Sequence, residues 1–403
     1  MKKFLAIALV LVMTLGLLAG CASETTSEDG EGTNNTDFKV GFIFLHDENS
    51  TYDKNFMDAA TAAAEACGLT DEQVLFKTGI PESDECYNAA AELVDEGCDL
   101  VFADSFGHES YILQAAKEFT DVQFCHATGT MAHTEQVPNF HNAFASIYEG
   151  RYLAGIAAGM KLNQMIENGD ITADKAKIGY VGAFDYAEVV SGMTSFYLGA
   201  RSVCESATMS VTYTNSWFDI ALEKEAALSL INDGCVLISQ HADSEGAPKA
   251  CEEKGVPNVA YNISTISMAP NTALISSKIN WQPYMEMIIK AAQDGTEIPY
   301  DYCPGIEEGA VELTELNTAV AAPGTQEAID AAKEQLVAGT LHVFDTSKFT
   351  VEGKTLDSYM ADVDTDDAFT PDTEVVSDGY FHESEKRSAP YFDIKYIDGI
   401  SEK

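Results

Sequence analysis

Positive charge is scarce in this sequence: 23 Lys and Arg stand against 65 Asp and Glu, for a formal net charge of −42. So acidic a surface repels nucleic-acid phosphate and anionic headgroups, which excludes a nucleic-acid partner and disfavours a multiply anionic ligand. A neutral or cationic solute is compatible with it. Long apolar runs are equally rare, since none follows the N-terminal run Phe4 to Leu18. Beyond that run the chain is not expected to cross a bilayer. Signatures of common chemistries are missing too. Gly353-Lys354-Thr355 lacks the upstream glycine of a phosphate-binding loop, and neither Gly-x-Ser-x-Gly nor His-Glu-x-x-His occurs. The eight histidines form no pair at helical metal-ligand spacing, and no Cys-x-x-Cys is present among nine cysteines. Asp104 and Asp243 could be imagined as an acid/base pair, but nothing supplies a nucleophile or metal beside them. No enzyme activity, cofactor or metal is therefore expected.

The N-terminus addresses the chain. Lys2 and Lys3 precede the 15 apolar residues Phe4 to Leu18, the build of a secretory signal and short for a transmembrane helix. The run ends in Leu18-Ala19-Gly20-Cys21, which resembles the bacterial lipobox, where cleavage precedes a cysteine that carries diacylglycerol. Residues 1–20 are expected to be a signal peptide and Cys21 the lipidation site. Residues 21–37, without a large apolar side chain, are expected to be a flexible tether. The resulting location is the extracytoplasmic face of the cell membrane, with the lipid as the only membrane contact. Eight cysteines remain; the even number permits disulfides, but a fold of this size needs no staples. Cys98 and Cys235 each follow a glycine and open an apolar run, which suits small buried thiols.

The chain repeats itself. Lys39-Val-Gly-Phe-Ile-Phe-Leu45 has a counterpart in Lys177-Ile-Gly-Tyr-Val-Gly-Ala183, offset by 138, and Gly97 has one in Gly234, offset by 137. Around each of those glycines the pattern reads as helix, glycine cap and buried strand. Polar turns follow, Asp104 to Gly107 and His241 to Ser244, and third strands close each unit at Val122–His126 and Asn258–Tyr261. Strand–helix alternation of this kind builds parallel sheets covered on both faces, giving an α/β protein of two lobes. Lobe 1 is expected to comprise residues 38–141 and about 270–310, and lobe 2 residues 142–269 and about 311–345, with joins near Asn139–Ala145 and Asn262–Pro270. Residues 346–403 read as a C-terminal extension wrapped on one lobe, with Asp364 to Asp367 as a turn and an aromatic stretch Tyr380–Tyr396 that packs.

Ligands of open parallel sheets sit beyond the carboxyl ends of the strands. The candidate ligand residues there are Asn49, Tyr52, Asp53, Ser105, Phe106, His126, Trp217, Phe218, Asp243, Asn262 and Trp281. Aromatic faces stack on planar rings, and Asp and Asn satisfy ring-edge or sugar groups. Strand alternation would put Trp217 and Phe218 on opposite faces, one of them in the core. His126 and His241 lie at strand ends, as hydrogen-bonding contacts rather than bases.

At these residues the chain resembles the basic membrane protein family of substrate-binding lipoproteins, which includes purine-nucleoside receptors of ABC importers. The resemblance runs from about Lys39 to about Phe344. It is most specific in Ile178–Ala183, Val190-Ser-Gly192, Phe196–Arg201, Thr214-Asn-Ser-Trp-Phe-Asp219, Glu223–Glu225 and Gln240-His-Ala-Asp-Ser244. Tyr148–Gly155 and Asn280-Trp281 with Pro283-Tyr284 are similar to further family segments. The resemblance implies a type I periplasmic-binding-protein fold that closes like a hinge on a purine nucleoside or nucleobase and delivers it, as a monomer, to ABC permease subunits. On that pattern Tyr52 stands at the aromatic of a Ser-Phe-Asn motif and Asp53 replaces its asparagine, while Trp217 and Asp243 match cleft residues. The chain departs from the pattern at Tyr261-Asn262-Ile263-Ser264, where a subgroup carries two carboxylates. Two other functions would share these lobes: a sensor receptor that signals its occupancy to a partner, and a hydrolase working in the cleft.

Overall fold

A computed structural model describes residues 37–363 and 372–403. The expected signal peptide, Cys21, the tether up to residue 36 and the Asp364–Asp367 turn lie outside the described residues. In the first half, β1 (Val40–Ile43), α1 (Thr51–Ala66), β2 (Val74–Lys77), α2 (Asp84–Asp95), β3 (Leu100–Ala103), α3 (Glu109–Glu118), β4 (Gln123–His126), α4 (Met131–Glu135) and β5 (Phe140–Ala143) follow one another. The second half repeats the alternation with α5 (Ile147–Glu167), β6 (Lys177–Gly182), α6 (Ala187–Val203), β7 (Thr208–Tyr213), α7 (Ile220–Asn232), β8 (Leu237–Gln240), α8 (Gly246–Lys254), β9 (Asn258–Tyr261) and β10 (Ala273–Ile279). Then come α9 (Gln282–Asp294), β11 (Asp301–Tyr302), β12 (Val311–Leu313) and α10 (Thr325–Val337).

Two sheets result, in the orders β11-β5-β4-β3-β1-β2 and β12-β10-β9-β8-β6-β7, the second extended beyond β7 by the C-terminal strand Ile400–Glu402. Pairing in both is parallel except between β10 and β12. The matching strand order is the sequence repeat made structural. Both repeat glycines are left-handed caps, Gly97 and Gly234 each at φ 88°, a conformation that a side chain would strain. The strands read as unbroken apolar runs because both faces are covered. In lobe 1, α1 and α9 lie on one face and α2 and α3 on the other; in lobe 2, α5 and α6 oppose α7 and α8. Phe42, Phe56 and Phe102 are fully buried in lobe 1, each such side chain contributing roughly 1.5–3 kcal/mol.

The crossings between lobes differ from expectation. The first lies at 144–146 and the third runs through 303–310, near the bounds given above, but the second falls at 280–281. The polar segment Asn262–Pro270 is an internal loop of lobe 2, and Ala273–Ile279, expected in lobe 1, is a strand of the second sheet. The reason is that β10 pairs in parallel beside β9 before the chain leaves the lobe. The C-terminal extension also touches both lobes rather than one. Its last strand pairs with β7, and Glu383 accepts from Ser191 Oγ at 2.7 Å in lobe 2, whereas Ser388 Oγ donates to Asp301 Oδ1 at 3.1 Å in lobe 1. Phe392 stacks on Phe344 at 4.4 Å and Phe381 packs beside it, as the aromatic content of Tyr380–Tyr396 suggests. All eight cysteines among the described residues are free thiols, and six of them are buried.

Helices α5 and α6 cross closely through glycines. A Cβ on Gly199 would lie 2.0 Å from Tyr152 O, and one on Gly155 would lie 2.1 Å from Phe196 O. Alanine normally improves a helix interior by about 1 kcal/mol over glycine. Here Gly199→Ala is expected to lower stability by about 1–3 kcal/mol in urea unfolding, because the helix backbones must separate. An unchanged or raised midpoint would contradict this packing.

Candidate functional site

The turns that follow the strands of both sheets converge on one cleft. Its cavity, about 360 Å³ including the mouth, is lined by Leu45, His46, Tyr52, Asp53, Ser105, Phe106 and Thr128 of lobe 1 and by Glu188, Trp217, His241 and Asp243 of lobe 2. The lobes meet across it: Thr51 N donates to Asp243 O at 2.8 Å, and the ring of His46 packs on Phe218 at 5.2 Å. At the mouth the ring of Phe106 meets Tyr186 at 5.6 Å.

Local structure fixes each side chain. Ser50 caps α1, accepting from Asp53 N while its hydroxyl donates to Asp53 Oδ2 at 2.5 Å. His46 N donates to Asp53 Oδ1 at 2.8 Å. Burial alone would raise the Asp53 carboxyl, but the hydrogen bonds from His46 and Ser50 outweigh it and hold it below the usual range. Tyr52 Oη donates to Asp104 O at 2.8 Å, which leaves its ring along the cavity. Asp104 is fully buried, and burial followed by the charge of Asp53 drives its carboxyl well above the usual range. Asp219 caps α7 by accepting from Ala221 N and Leu222 N, and Asn215 turns the chain at φ 56°, so Trp217 projects from a loop. Trp217 O then accepts from Asp243 N at 2.9 Å. Asp243 is pushed well above the usual carboxylate range by burial, then by the charges of Glu223, Asp53 and Glu188, which exceed the opposing effect of Arg151.

Not all expected residues reach the cavity. Tyr52, Asp53, Ser105, Phe106, Trp217 and Asp243 line it. Phe218 stands beside it on His46. Because 214–219 is a loop, strand alternation does not apply, and both Trp217 and Phe218 are half-buried near the cleft. Asn262 stands behind Asp243, donating from Nδ2 to Oδ1 at 3.1 Å. His126 is fully buried, and since a carbonyl only accepts, its Nε2–H donates to Ser105 O at 2.6 Å. Burial lowers its pKa to about 3, so it supports the Ser105 turn as a neutral ring. Asn49 is exposed and donates to its neighbour Asp47. Trp281 belongs to the core of lobe 1, stacked on Phe56 at 4.4 Å, because the second crossing turns it inward onto α1.

The sequence reading missed His46, Thr128, Glu188 and Arg151. Glu188 opens α6 just before Val190-Ser-Gly192, and an acid in the first turn of a helix that follows a strand was the available signal. Its Oε1 lies 3.3 Å from His241 Nε2, and Thr128 Oγ1 donates to its Oε2 at 3.5 Å from the other lobe. Arg151 is buried, its guanidinium 3.5 Å over the Tyr261 ring and 3.0 Å from His241 Nδ1. Among the described residues no cluster of His, Cys, Asp or Glu is placed to hold a metal, and no helix is long and apolar enough to cross a membrane.

Residues 45–340 match the family described as "ABC transporter substrate-binding protein PnrA-like". A purine-binding protein of Brucella abortus is 33% identical over 278 residues, 68% of this chain and 74% of that protein. A putative ABC transporter glucose-binding protein of Haloferax volcanii is 29% identical, over 78% of this chain and 73% of that protein. Among solved structures, an ABC transporter solute-binding protein from Conexibacter woesei aligns with a TM-score of 0.61 at 23% identity, covering 76% of this chain and 98% of that one. A solute-binding protein from Aeropyrum pernix aligns with a TM-score of 0.61 at 18% identity, covering 76% and 93%. These structures share the periplasmic-binding-protein-like α/β fold.

The buried acids set the pH response. Burial raises Glu109, Glu149, Glu223 and Glu383 to about 7, and Asp104 and Asp243 are raised too. Unfolded, such groups titrate near 4. Between about pH 4.5 and 7 these acids hold protons that the unfolded chain releases; burial keeps His108, His126, His141 and His241 neutral, which works in the opposite sense, but the six acids outnumber them, so stability falls as pH rises through this window. The melting temperature of the purified domain from Asp37 onward is expected to be at least about 5 °C higher at pH 5 than at pH 7.5. A melting temperature that rises over this interval would contradict the assignment.

Proposed function

From the premise that the chain belongs to the PnrA-like family of ABC transporter substrate-binding proteins, we propose that it closes on a purine nucleobase or nucleoside. As a member of that family it is an extracytoplasmic solute-binding component that hands a small molecule to a permease. The observation that carries the purine reading is the cavity wall: the rings of Tyr52, Phe106 and Trp217 accompany the carboxyl groups of Asp53, Glu188 and Asp243. Rings accept the flat faces of a base, and the polar groups satisfy its edge. The purine-binding relative supports the same class. The three crossings between the lobes supply a hinge, and the contacts of Thr51 with Asp243 and of His46 with Phe218 are the kind that form as lobes close on a ligand. Cys21 and the signal run before it support a lipid anchor for this component.

Isothermal titration with adenine, guanine, hypoxanthine, their nucleosides and glucose tests this reading. At least one purine is expected to bind with a micromolar or tighter Kd, and Trp217→Ala to weaken it by about tenfold to a hundredfold. Silence with every purine together with binding of glucose would move the site to sugars. For the anchor, Cys21→Ser is expected to shift the protein from the membrane fraction to the soluble fraction; an unchanged distribution would contradict lipidation.

A further inference from the structure

We infer that Glu188 selects the ligand by its hydrogen-bond donors and that Arg151, acting through His241, holds Glu188 for this task, an assignment that rests on the purine reading. The bonds can run in only one sense. A guanidinium has donors and no acceptor. Arg151 Nη1 donates to Gln240 O at 2.9 Å and Nη2 to His241 Nδ1 at 3.0 Å, with the Tyr261 ring beneath the guanidinium. Since Nδ1 accepts, the imidazole proton is on Nε2, which donates to Glu188 Oε1 at 3.3 Å. Burial, followed by the nearby positive charge of Arg151, keeps the His241 ring neutral and so preserves this tautomer.

Glu188 then has one oxygen engaged from behind. The other, Oε2, has the Thr128 hydroxyl at 3.5 Å, the long limit of a hydrogen bond, from across the cleft. The other acids of the wall are differently placed. Both oxygens of Asp53 are taken by His46 and Ser50. Asp243 receives Asn262 on Oδ1, and burial favours its protonated form, whose hydroxyl donates. Glu188 is thus the wall's acceptor for a ligand, and Asp243 its complement. The backbone makes room for the arrangement: a Cβ on Gly192, one helical turn after Glu188, would press on His241 Nδ1 at 3.3 Å and Arg151 Nε at 3.4 Å.

A carboxylate rewards an N–H and repels a carbonyl. A 6-aminopurine offers a donor at position 6 and an acceptor at N1, and a 6-oxopurine the reverse, so the one that presents its N–H to Glu188 is the better ligand and the ratio of their affinities reads the role of Glu188. An amide at the same position offers both a donor and an acceptor and should lose the distinction.

The test is titration calorimetry of adenine and hypoxanthine with wild type, Glu188→Gln and His241→Asn, with melting curves confirming that each variant is folded. Wild type is expected to prefer one of the two by at least about tenfold. Glu188→Gln is expected to weaken the preferred purine roughly tenfold to a hundredfold while the other changes less, so that the preference collapses. His241→Asn leaves Glu188 in place but shortens the donor behind it, and should lower the same ratio by about threefold to tenfold. A folded Glu188→Gln that keeps both affinities overturns the assignment, as does a wild type that binds adenine and hypoxanthine equally. An unchanged ratio in His241→Asn overturns the positioning role, and decides the matter if Glu188→Gln fails to fold. If only nucleosides bind, adenosine and inosine replace the bases in the same comparison; wild type that binds neither these bases nor their nucleosides overturns the ligand class, and this assignment with it.

Discussion

Parallel pairing is the constraint from which the rest of this protein follows. In a parallel sheet every strand ends on the same side, so all the turns that follow strands are delivered to one edge. Two such sheets with the same strand order set those edges opposite one another. The order reverses between β1 and β3 in lobe 1 and between β6 and β8 in lobe 2, and the connections leave in opposite directions there, opening a crevice. The cavity is at that crevice in both lobes. Leu45 and His46 follow β1, Ser105 and Phe106 follow β3, and His241 and Asp243 follow β8. Close crossing of α5 over α6, allowed by their glycines, completes the support behind lobe 2.

Collecting carboxyl groups in such a crevice costs electrostatic free energy, and the structure distributes that cost unevenly. Asp53 is surrounded by donors and is held below the usual carboxylate range, whereas burial and neighbouring charges push Asp104 and Asp243 well above it. The only guanidinium near the cavity among the residues bonded to its lining, Arg151, reaches it through His241 rather than directly. The wall therefore combines acceptors, a carboxyl group whose neutral form burial favours and aromatic faces. That is a suitable surface for a flat, donor-bearing, uncharged or cationic solute and a poor one for an anion.

Local patterns were legible and long-range partnerships were not. Strands, the paired glycine caps at Gly97 and Gly234 and the repeat itself are written within short windows, and the two-lobed fold follows from them. Trp281 stood among the candidate ligand residues through the similarity of Asn280-Trp281 with Pro283-Tyr284 to a family segment, but its partner Phe56 is on α1, far away in sequence. His126 stands at a strand end as expected, yet its nitrogen is spent on the Ser105 carbonyl. The second hinge was misplaced because Asn262–Pro270 has the composition of a linker, while the actual crossing at Asn280–Trp281 is only two residues and carries no linker signal. Glu188 escaped notice for a related reason: a lone acid in a helix gains meaning only when His241 and Thr128 are brought to it from elsewhere in the chain.

Native mass spectrometry of the freshly purified domain from Asp37 onward, followed by release and identification of any bound small molecule, tests the central claim most directly. A purine in one-to-one complex with the protein is expected, its mass distinguishing base from nucleoside. A different class of bound solute, such as a hexose, with no displacement by excess purine, would contradict it.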